Sequence, residues 1–530
     1  MSDRGDERDR ELADVPEQGE AEEPQRVSTR AWAGRFLGPV AALAAYLLIP
    51  TGEGLSQAGL ATISVGILMA VWWVTEALPL PATALLPIAL FPLFGIVEVG
   101  DAAAPYASDT IFLFMGGFMI ALAMQRWGLH RRIALRIVLA VGTQPVRLIG
   151  GFMLATALLS MWVSNTATAV MMLPIGLSVL ALVMDNGASS AASADAGGES
   201  SESTGETMQR IAGSSNFAVA LMLGIAYAAS VGSLATIIGT PPNTFMVEFL
   251  SQQYDINIGF GQWMIVGTPL AAVFLGVTWV VLTRFVYPPE IGEISGGREL
   301  IRSQLDEMGP ASRGEKTVFT VFVITALLWI FRQPLSGLPL LGGLDDAVIA
   351  IAAAIALFAI PVDWRNGVFA LDWQTALGLP WGVLLLFGGG LSLANGISET
   401  GVDAWIGDGF SGLDGIPTLL FIVLVAAAVV GLTELTSNTA TAAALLPIFG
   451  GVAVGLNLDP MLFVIPAALA ASCAFMLPVA TPPNAIVFGS GYVTIGQMVK
   501  AGVWLNVIAI VLITAVMYAL TGWALGVSFG

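Results

Sequence analysis

Ser164-Asn165-Thr166-Ala167-Thr168-Ala169 recurs as Ser437-Asn438-Thr439-Ala440-Thr441-Ala442, and each copy runs on to Leu-Pro-Ile, at residues 173–175 and 446–448. The register is constant, 437 − 164 = 273. The same offset pairs Phe114 with Phe387, Gly116-Gly117 with Gly389-Gly390, Gly128 with Gly401, and Ser160 with Thr433. A second phrase, Thr240-Pro241-Pro242-Asn243, returns as Thr481-Pro482-Pro483-Asn484 at an offset of 481 − 240 = 241. The offsets differ by 273 − 241 = 32, the length of one hydrophilic insertion, 185–216, in the first half. Polar motifs duplicated inside apolar sequence point to two repeats built around one site.

Composition places the chain in a membrane. Hydrophobic residues make up 56% of the 530, charged residues 11%, and mean hydropathy is +0.82. Apolar stretches of roughly 20 residues, enough to cross the hydrocarbon layer, recur along the chain. The net charge of −18 must therefore sit in tails and loops. It argues against nucleic acid, which needs a basic face. Cys473 and His130 are the sole residues of their types. An intramolecular disulfide and a metal centre built on paired histidines are both excluded. His130, beside Arg131 and Arg132, reads as a surface residue.

The fold class expected is all-α polytopic: about 11 transmembrane helices plus two re-entrant hairpins, at 147–184 and 416–456. Residues 1–32 read as a disordered, acidic cytoplasmic tail. The first repeat is placed at 33–256, a connecting span and cytoplasmic loop at 257–316, and the second repeat at 317–530. Arg126, Arg131, Arg132, Arg136 and Arg147 precede the first hairpin, whereas Glu399, Asp403, Asp408 and Asp414 precede the second. By the positive-inside rule the first loop is cytoplasmic and the second external. The repeats are then inverted, in the plasma membrane, with the N-terminus cytoplasmic and the C-terminus extracellular. Trp72, Trp73, Trp127, Trp162, Trp263 and Trp381 are expected near span ends as interfacial aromatics.

A hairpin that turns within the membrane loses backbone hydrogen bonds that lipid cannot replace. Ser, Asn and Thr are N-cap residues that satisfy such groups, and new helices are expected from about Ala167 and Ala440. Two consecutive prolines must break the spans near 240 and 481. Each proline pair suits the start of the following helix, with Thr240 or Thr481 as its cap. Four helix N-termini aimed at one midplane point would form an anion site needing no Lys or Arg. The carbonyls freed at the breaks, with Ser, Thr and Asn oxygens, suit a hard monovalent cation such as Na⁺. The plainer role of small polar residues is helix packing, and the paired, in-register recurrence argues against it. Gly116-Gly117 and Gly388-Gly389-Gly390 are expected as close-packing or hinge positions rather than ligand contacts. Glu434, whose counterpart by offset is Met161, is expected as a hydrogen-bonded structural carboxylate, and Glu76 as a snorkelling or capping side chain.

The paired Ser-Asn-Thr and Thr-Pro-Pro motifs, in this order, resemble those of the divalent anion/sodium symporter family, from about residue 33 onwards. The resemblance implies a homodimer in the lipid membrane, each protomer having a scaffold part and a transport part that moves as an elevator. It implies Na⁺ as coupling ion, no organic cofactor, and a dicarboxylate, tricarboxylate or sulfate as the dianionic substrate, with C4-dicarboxylates such as succinate and malate foremost. Asn165, Thr166, Asn438 and Thr439 correspond to residues that hold substrate carboxylates, with Thr240, Pro241, Thr481 and Pro482 as neighbouring contacts. Ser160, Ser164, Asn165 and Gly239 correspond to one sodium site, and Thr433, Ser437, Asn438 and Ala480 to the other. A sodium-independent exchanger is the alternative. The chain has no G-x-S-x-G with a histidine partner, no H-E-x-x-H and no P-loop, so no enzyme class is indicated.

Overall fold

The structure, a computed structural model, describes residues 28–192 and 215–529, apart from 53, 293, 295, 340 and 411–416. Most of the acidic tail and of the polar insertion therefore lies outside the described residues. The first helix starts earlier than expected: α1 (Thr29–Leu48) is capped by Ser28, whose Oγ accepts from the Ala31 amide at 3.1 Å. It is followed by α2 (Gln57–Thr75), a shorter apolar stretch at Leu80–Leu93, α3 (Asp109–Arg126), α4 (Leu129–Val141), α5 (Pro145–Ser160), α6 (Asn165–Ala192), α7 (Asn216–Ser233), α8 (Pro241–Tyr254) and α9 (Phe260–Val280). The polar connection expected as a loop holds a short helix, α10 (Gly297–Glu307). The second half then runs through α11 (Arg313–Ile330), α12 (Asp346–Ala359), a two-stranded antiparallel ribbon of β1 (Pro361–Asp363) and β2 (Val368–Phe369), α13 (Trp381–Glu399), α14 (Val402–Phe410), α15 (Thr418–Thr433), α16 (Asn438–Gly455), α17 (Met461–Ala471), α18 (Pro482–Gly489) and α19 (Ile495–Val516).

Among the described residues, nine helices are long and apolar enough to cross a membrane. Two of these, α6 and α16, are second arms of the hairpins. The other seven combine with α11, Leu80–Leu93, α12 and α17 into the all-α polytopic architecture expected from hydropathy. The hairpins sit at the predicted register. Pro145–Ser160 and Thr418–Thr433 are related residue for residue by 273, and so are the starts of α6 and α16.

Helices α7 and α17 are apolar on every side, and both are buried throughout. An all-round apolar helix belongs at a core centre, and these two form the centre of the assembly around the hairpins. Helix α7 packs on α5, and α17 packs on α15 and α16. The halves also interlock: α6 packs against α18 of the other repeat, and α16 against α8. This exchange brings the hairpin turns to the two helix breaks. Outside it, α1 is largely exposed along its apolar length, with Leu37, Val40, Leu43, Leu47 and Leu48 all facing outward.

Glycines set the close approaches. A Cβ on Gly116 would lie 2.7 Å from the Ala350 backbone, and one on Gly389 only 2.2 Å from the Ala84 carbonyl. The double-glycine repeats thus serve helix–helix packing. Not all the tryptophans are interfacial. Trp73 and Trp263 are fully buried, and each indole N–H is satisfied inside, on Leu80 O at 3.3 Å and Leu234 O at 3.2 Å respectively. His130 lies on α4, with Nδ1 3.0 Å from Met124 O.

Candidate functional site

Each hairpin turns in a few residues and is held by the same three-oxygen knot. In the first, Ser160 Oγ lies 2.8 Å from Asn165 Oδ1 and 2.7 Å from Ala229 O on α7. In the second, Thr433 Oγ1 lies 2.7 Å from Asn438 Oδ1 and 2.8 Å from Ala471 O on α17. A hydroxyl at the end of one arm thus fixes the asparagine that opens the next, and both are fixed to the buried central helix. Asn165 Nδ2 donates onward to Ser233 Oγ at 3.3 Å. The new helices begin at Asn165 and Asn438, two residues earlier than the sequence suggested, so both asparagines sit in the first turn. Ser164 caps its helix by accepting from the Ala167 amide at 3.3 Å, whereas Ser437 makes no side-chain cap.

The breaks lie where the paired prolines demand. Pro241 and Pro482 occupy the first positions of α8 and α18. Thr481 caps α18, accepting from the Asn484 amide at 3.3 Å. Thr240 does not cap α8; its hydroxyl pairs with Ser472 Oγ of the other repeat at 3.1 Å. Two prolines in the first turn also remove two of the N-terminal donors. The free amides at the site therefore come chiefly from α6 and α16, whose first-turn N–H groups have no intrahelical acceptor, while α8 and α18 contribute mainly their dipoles.

All four motifs meet. Ser164, Asn165 and Thr166, Gly239, Thr240 and Pro241, Ser437, Asn438 and Thr439, and Ala480, Thr481 and Pro482 line one cavity of about 820 Å³. Ser160 and Thr433 lie behind this lining, fully buried. Gly239 packs so closely that a Cβ would lie 2.3 Å from Ser233 O, while its counterpart Ala480 carries one. The far wall comes from Glu76, Leu80, Phe114, Phe118, Gln125 and Val383. Sequence reasoning did not place Glu76 or Gln125 here, because no motif marks a residue whose only link to the site is the packing of α2 and α3.

The arrangement offers two kinds of chemistry. First-turn amides and hydroxyls facing a cavity without a basic lining residue can bind an anion through partial charges. Behind them, clustered side-chain and carbonyl oxygens suit a hard cation. One further observation fits the latter. Asn243 Oδ1 and Asn484 Oδ1, equivalent by offset, are buried acceptors without a hydrogen-bond donor. Their amide nitrogens brace the break carbonyls, Leu234 and Thr236 in the first case, Ala474 and Leu477 in the second.

Glu434 is the structural carboxylate expected. It is 1% exposed and accepts from the amides of Phe475 (2.7 Å), Met476 (3.0 Å) and Leu477 (3.1 Å), and from Asn506 Nδ2 (2.8 Å). It thereby satisfies three amides of the second break at once. These partners, 41 to 72 residues away, were not visible in the sequence.

The sodium:sulfate symporter transmembrane region family matches residues 29–527. A sodium-dependent dicarboxylate transporter, SdcS, of Staphylococcus saprophyticus is 40% identical over 497 residues, covering 93% of this chain and 92% of the relative. The protein of the same name from Staphylococcus aureus strain USA300 is 41% identical over 496 residues, with the same shares covered. Among solved structures, the YdaH transporter of Alcanivorax borkumensis matches with a TM-score of 0.54 at 13% identity, over 87% of this chain and 99% of that one; that likeness concerns the fold alone. With the family matched from the first described helix to the last residues, and relatives this similar over nearly their whole length, the chain belongs to the sodium:sulfate symporter family, the divalent anion/sodium symporters that its paired motifs resemble.

Proposed function

We propose that this chain is a sodium-coupled symporter of small divalent anions, with C4-dicarboxylates such as succinate and malate as substrates. The observation that carries the reading is the convergence of both Ser-Asn-Thr turns and both Thr-Pro-Pro breaks on one cavity without a basic lining residue. The names of the SdcS relatives support sodium dependence and a dicarboxylate cargo.

In this reading one substrate carboxylate takes the first-turn amides of α6 with Asn165 and Thr166. The other takes those of α16 with Asn438 and Thr439, and Thr240, Pro241, Thr481 and Pro482 border both. Each oxygen knot holds one Na⁺, with Ser160, Ser164, Asn165 and Gly239 on one side and Thr433, Ser437, Asn438 and Ala480 on the other. Bound Na⁺ fixes the asparagine of each turn and adds positive charge beside the dianion. Transport needs no covalent step. The hairpins with α7–α9 and α17–α19 form the moving part, the remaining helices the scaffold, in an elevator motion within a homodimer. The loop charges support a cytoplasmic side for the ends of α2 and α3 nearest Glu76 and Gln125, and in this reading the cavity faces inward.

Uptake of radiolabelled succinate into proteoliposomes, with and without an inward Na⁺ gradient, tests the reading. Saturable uptake driven by the gradient and competed by malate is expected. Gradient-independent counterflow would replace the symporter by an exchanger, and competition by sulfate alone would replace the substrate class. Cysteines at Ala140 and Phe410, in a Cys473→Ser background, test the orientation. They should label from opposite faces, and labelling from one face would overturn the inverted arrangement.

A further inference from the structure

We propose that Glu76 is a fixed electrostatic release wall, a carboxylate on the scaffold side of the cavity that weakens dianion binding only while the cavity faces it. This rests on the transport reading above. Helix α2 ends at Thr75, and Glu76 follows in the left-handed region at φ 52°, ψ 37°. The Ala77 amide reaches back to Trp72 O at 3.1 Å, and the Trp73 indole donates to Leu80 O at 3.3 Å, bracing the turn. Glycine is the usual residue at such a helix end. Asp255 and Asn457, the other non-glycine residues at positive φ among the described residues, are of the Asx type that tolerates it. Glu76 is neither, and a side chain held at strained backbone beside a cavity calls for a role.

The charge supplies one. Among the residues lining the cavity, Glu76 is the one with a charged side chain. Two arginines of α1 reach the same turn and keep their charge, Arg30 donating to the Val74 and Leu435 carbonyls and Arg35 to Ala77 O at 2.9 Å, but neither lines the cavity. No ion pair among the described residues includes Glu76. A dianion held at the turns by dipoles and Na⁺ therefore meets one formal negative charge, across a cavity whose other far-wall residues are mostly apolar. Glu76 belongs to neither hairpin and neither broken helix. When those elements move, the substrate leaves its field. Affinity is then lower facing inward than facing outward, which favours release after uptake.

The test is the succinate KM on each face of the membrane, in oriented proteoliposomes at saturating Na⁺, for the wild type, Glu76→Gln and Glu76→Asp. Glu76→Gln should lower the cytoplasmic-side KM by about three- to tenfold and leave the external KM within about twofold, while Glu76→Asp stays close to the wild type. A cytoplasmic-side KM that is unchanged or raised in Glu76→Gln, or an equal fall on both faces, overturns the proposal. Should Glu76→Gln fail to fold, Glu76→Gly, which suits the left-handed backbone at this position, decides: the same fall in the cytoplasmic-side KM alone is expected, and no change counts against the proposal. If the wild type shows no Na⁺-dependent succinate uptake at all, the transport reading itself has failed, and this inference with it.

Discussion

The two helix breaks carry the same motifs, and at each an asparagine amide braces the carbonyls, but the second adds a carboxylate that takes the free amides. At the first, donors from neighbouring side chains engage the carbonyls. Asn243 reaches Leu234 and Thr236, Trp263 also reaches Leu234, and Thr244 donates to Ile237 at 2.7 Å. Thr236 in turn donates to the carbonyl of Met161. At the second, one carboxylate engages the amides: Glu434 takes Phe475, Met476 and Leu477, and Tyr227 from the other half donates to the Phe475 carbonyl at 2.8 Å. The oxygen knots facing the cavity are nearly identical, Ser160–Asn165–Ala229 against Thr433–Asn438–Ala471. Residues that line the cavity are paired across the repeats, while the support of the unwound backbone is paired only in part. That backbone must be satisfied within protein either way, because lipid supplies no partners.

The two breaks should differ most at Glu434. Glu434→Ala strips three buried amides of their acceptor, at about 1–3 kcal/mol each. It should cost more than about 3 kcal/mol and abolish uptake. Met161→Ala, at the equivalent point, should cost about 1–2 kcal/mol, because its bond to Thr236 runs through the backbone. Melting temperatures in detergent, with uptake as a second readout, check the pair. Equal losses would mean that the two breaks are supported alike.

Next come the asparagines. In the proposed binding mode Asn165→Ala and Asn438→Ala each remove hydrogen bonds to a charged carboxylate, worth about 1.5–3 kcal/mol, as well as the knot partner of Ser160 or Thr433. Both should abolish uptake in folded protein. Normal uptake by either variant would refute the shared site. Smaller effects are expected one layer back. Ser160→Ala and Thr433→Val should each move the Na⁺ dependence of uptake to about three- to tenfold higher concentration, consistent with one lost oxygen worth about 1 kcal/mol, with little change in rate at saturating Na⁺. A shift in one variant alone would show the cages to be unequal. The smallest effect belongs to Thr244→Val, which frees the Ile237 carbonyl. A loss of about 1 kcal/mol with uptake retained is expected, and lost uptake would show that this support is part of the transport cycle.

Much of this was legible because duplication prints itself in the sequence. The offset of 273 fixed both hairpins, and the actual arms, Pro145–Ser160 and Thr418–Thr433, obey it residue for residue. The proline pairs located both breaks, since no helix carries two such residues through its interior. Helix starts were misplaced by two residues because Asn165 and Asn438 read as caps but fold as first-turn residues. The unequal roles of Thr240 and Thr481 were hidden, because Thr240 finds its partner, Ser472, in the other repeat. The amides that Glu434 satisfies, the burial of Trp73 and Trp263, and the place of Glu76 in the cavity wall all depend on which helices become neighbours. No local pattern encodes that.

Binding tests the proposed sodium coupling through the two oxygen knots without the complications of turnover. Succinate affinity of the purified protein should be measured calorimetrically in sodium chloride and in choline chloride at equal ionic strength. Binding in Na⁺ and little or none in choline is expected, with Na⁺ affinity raised by succinate by the same factor, as linkage requires. Equal succinate affinity in the two salts would contradict it.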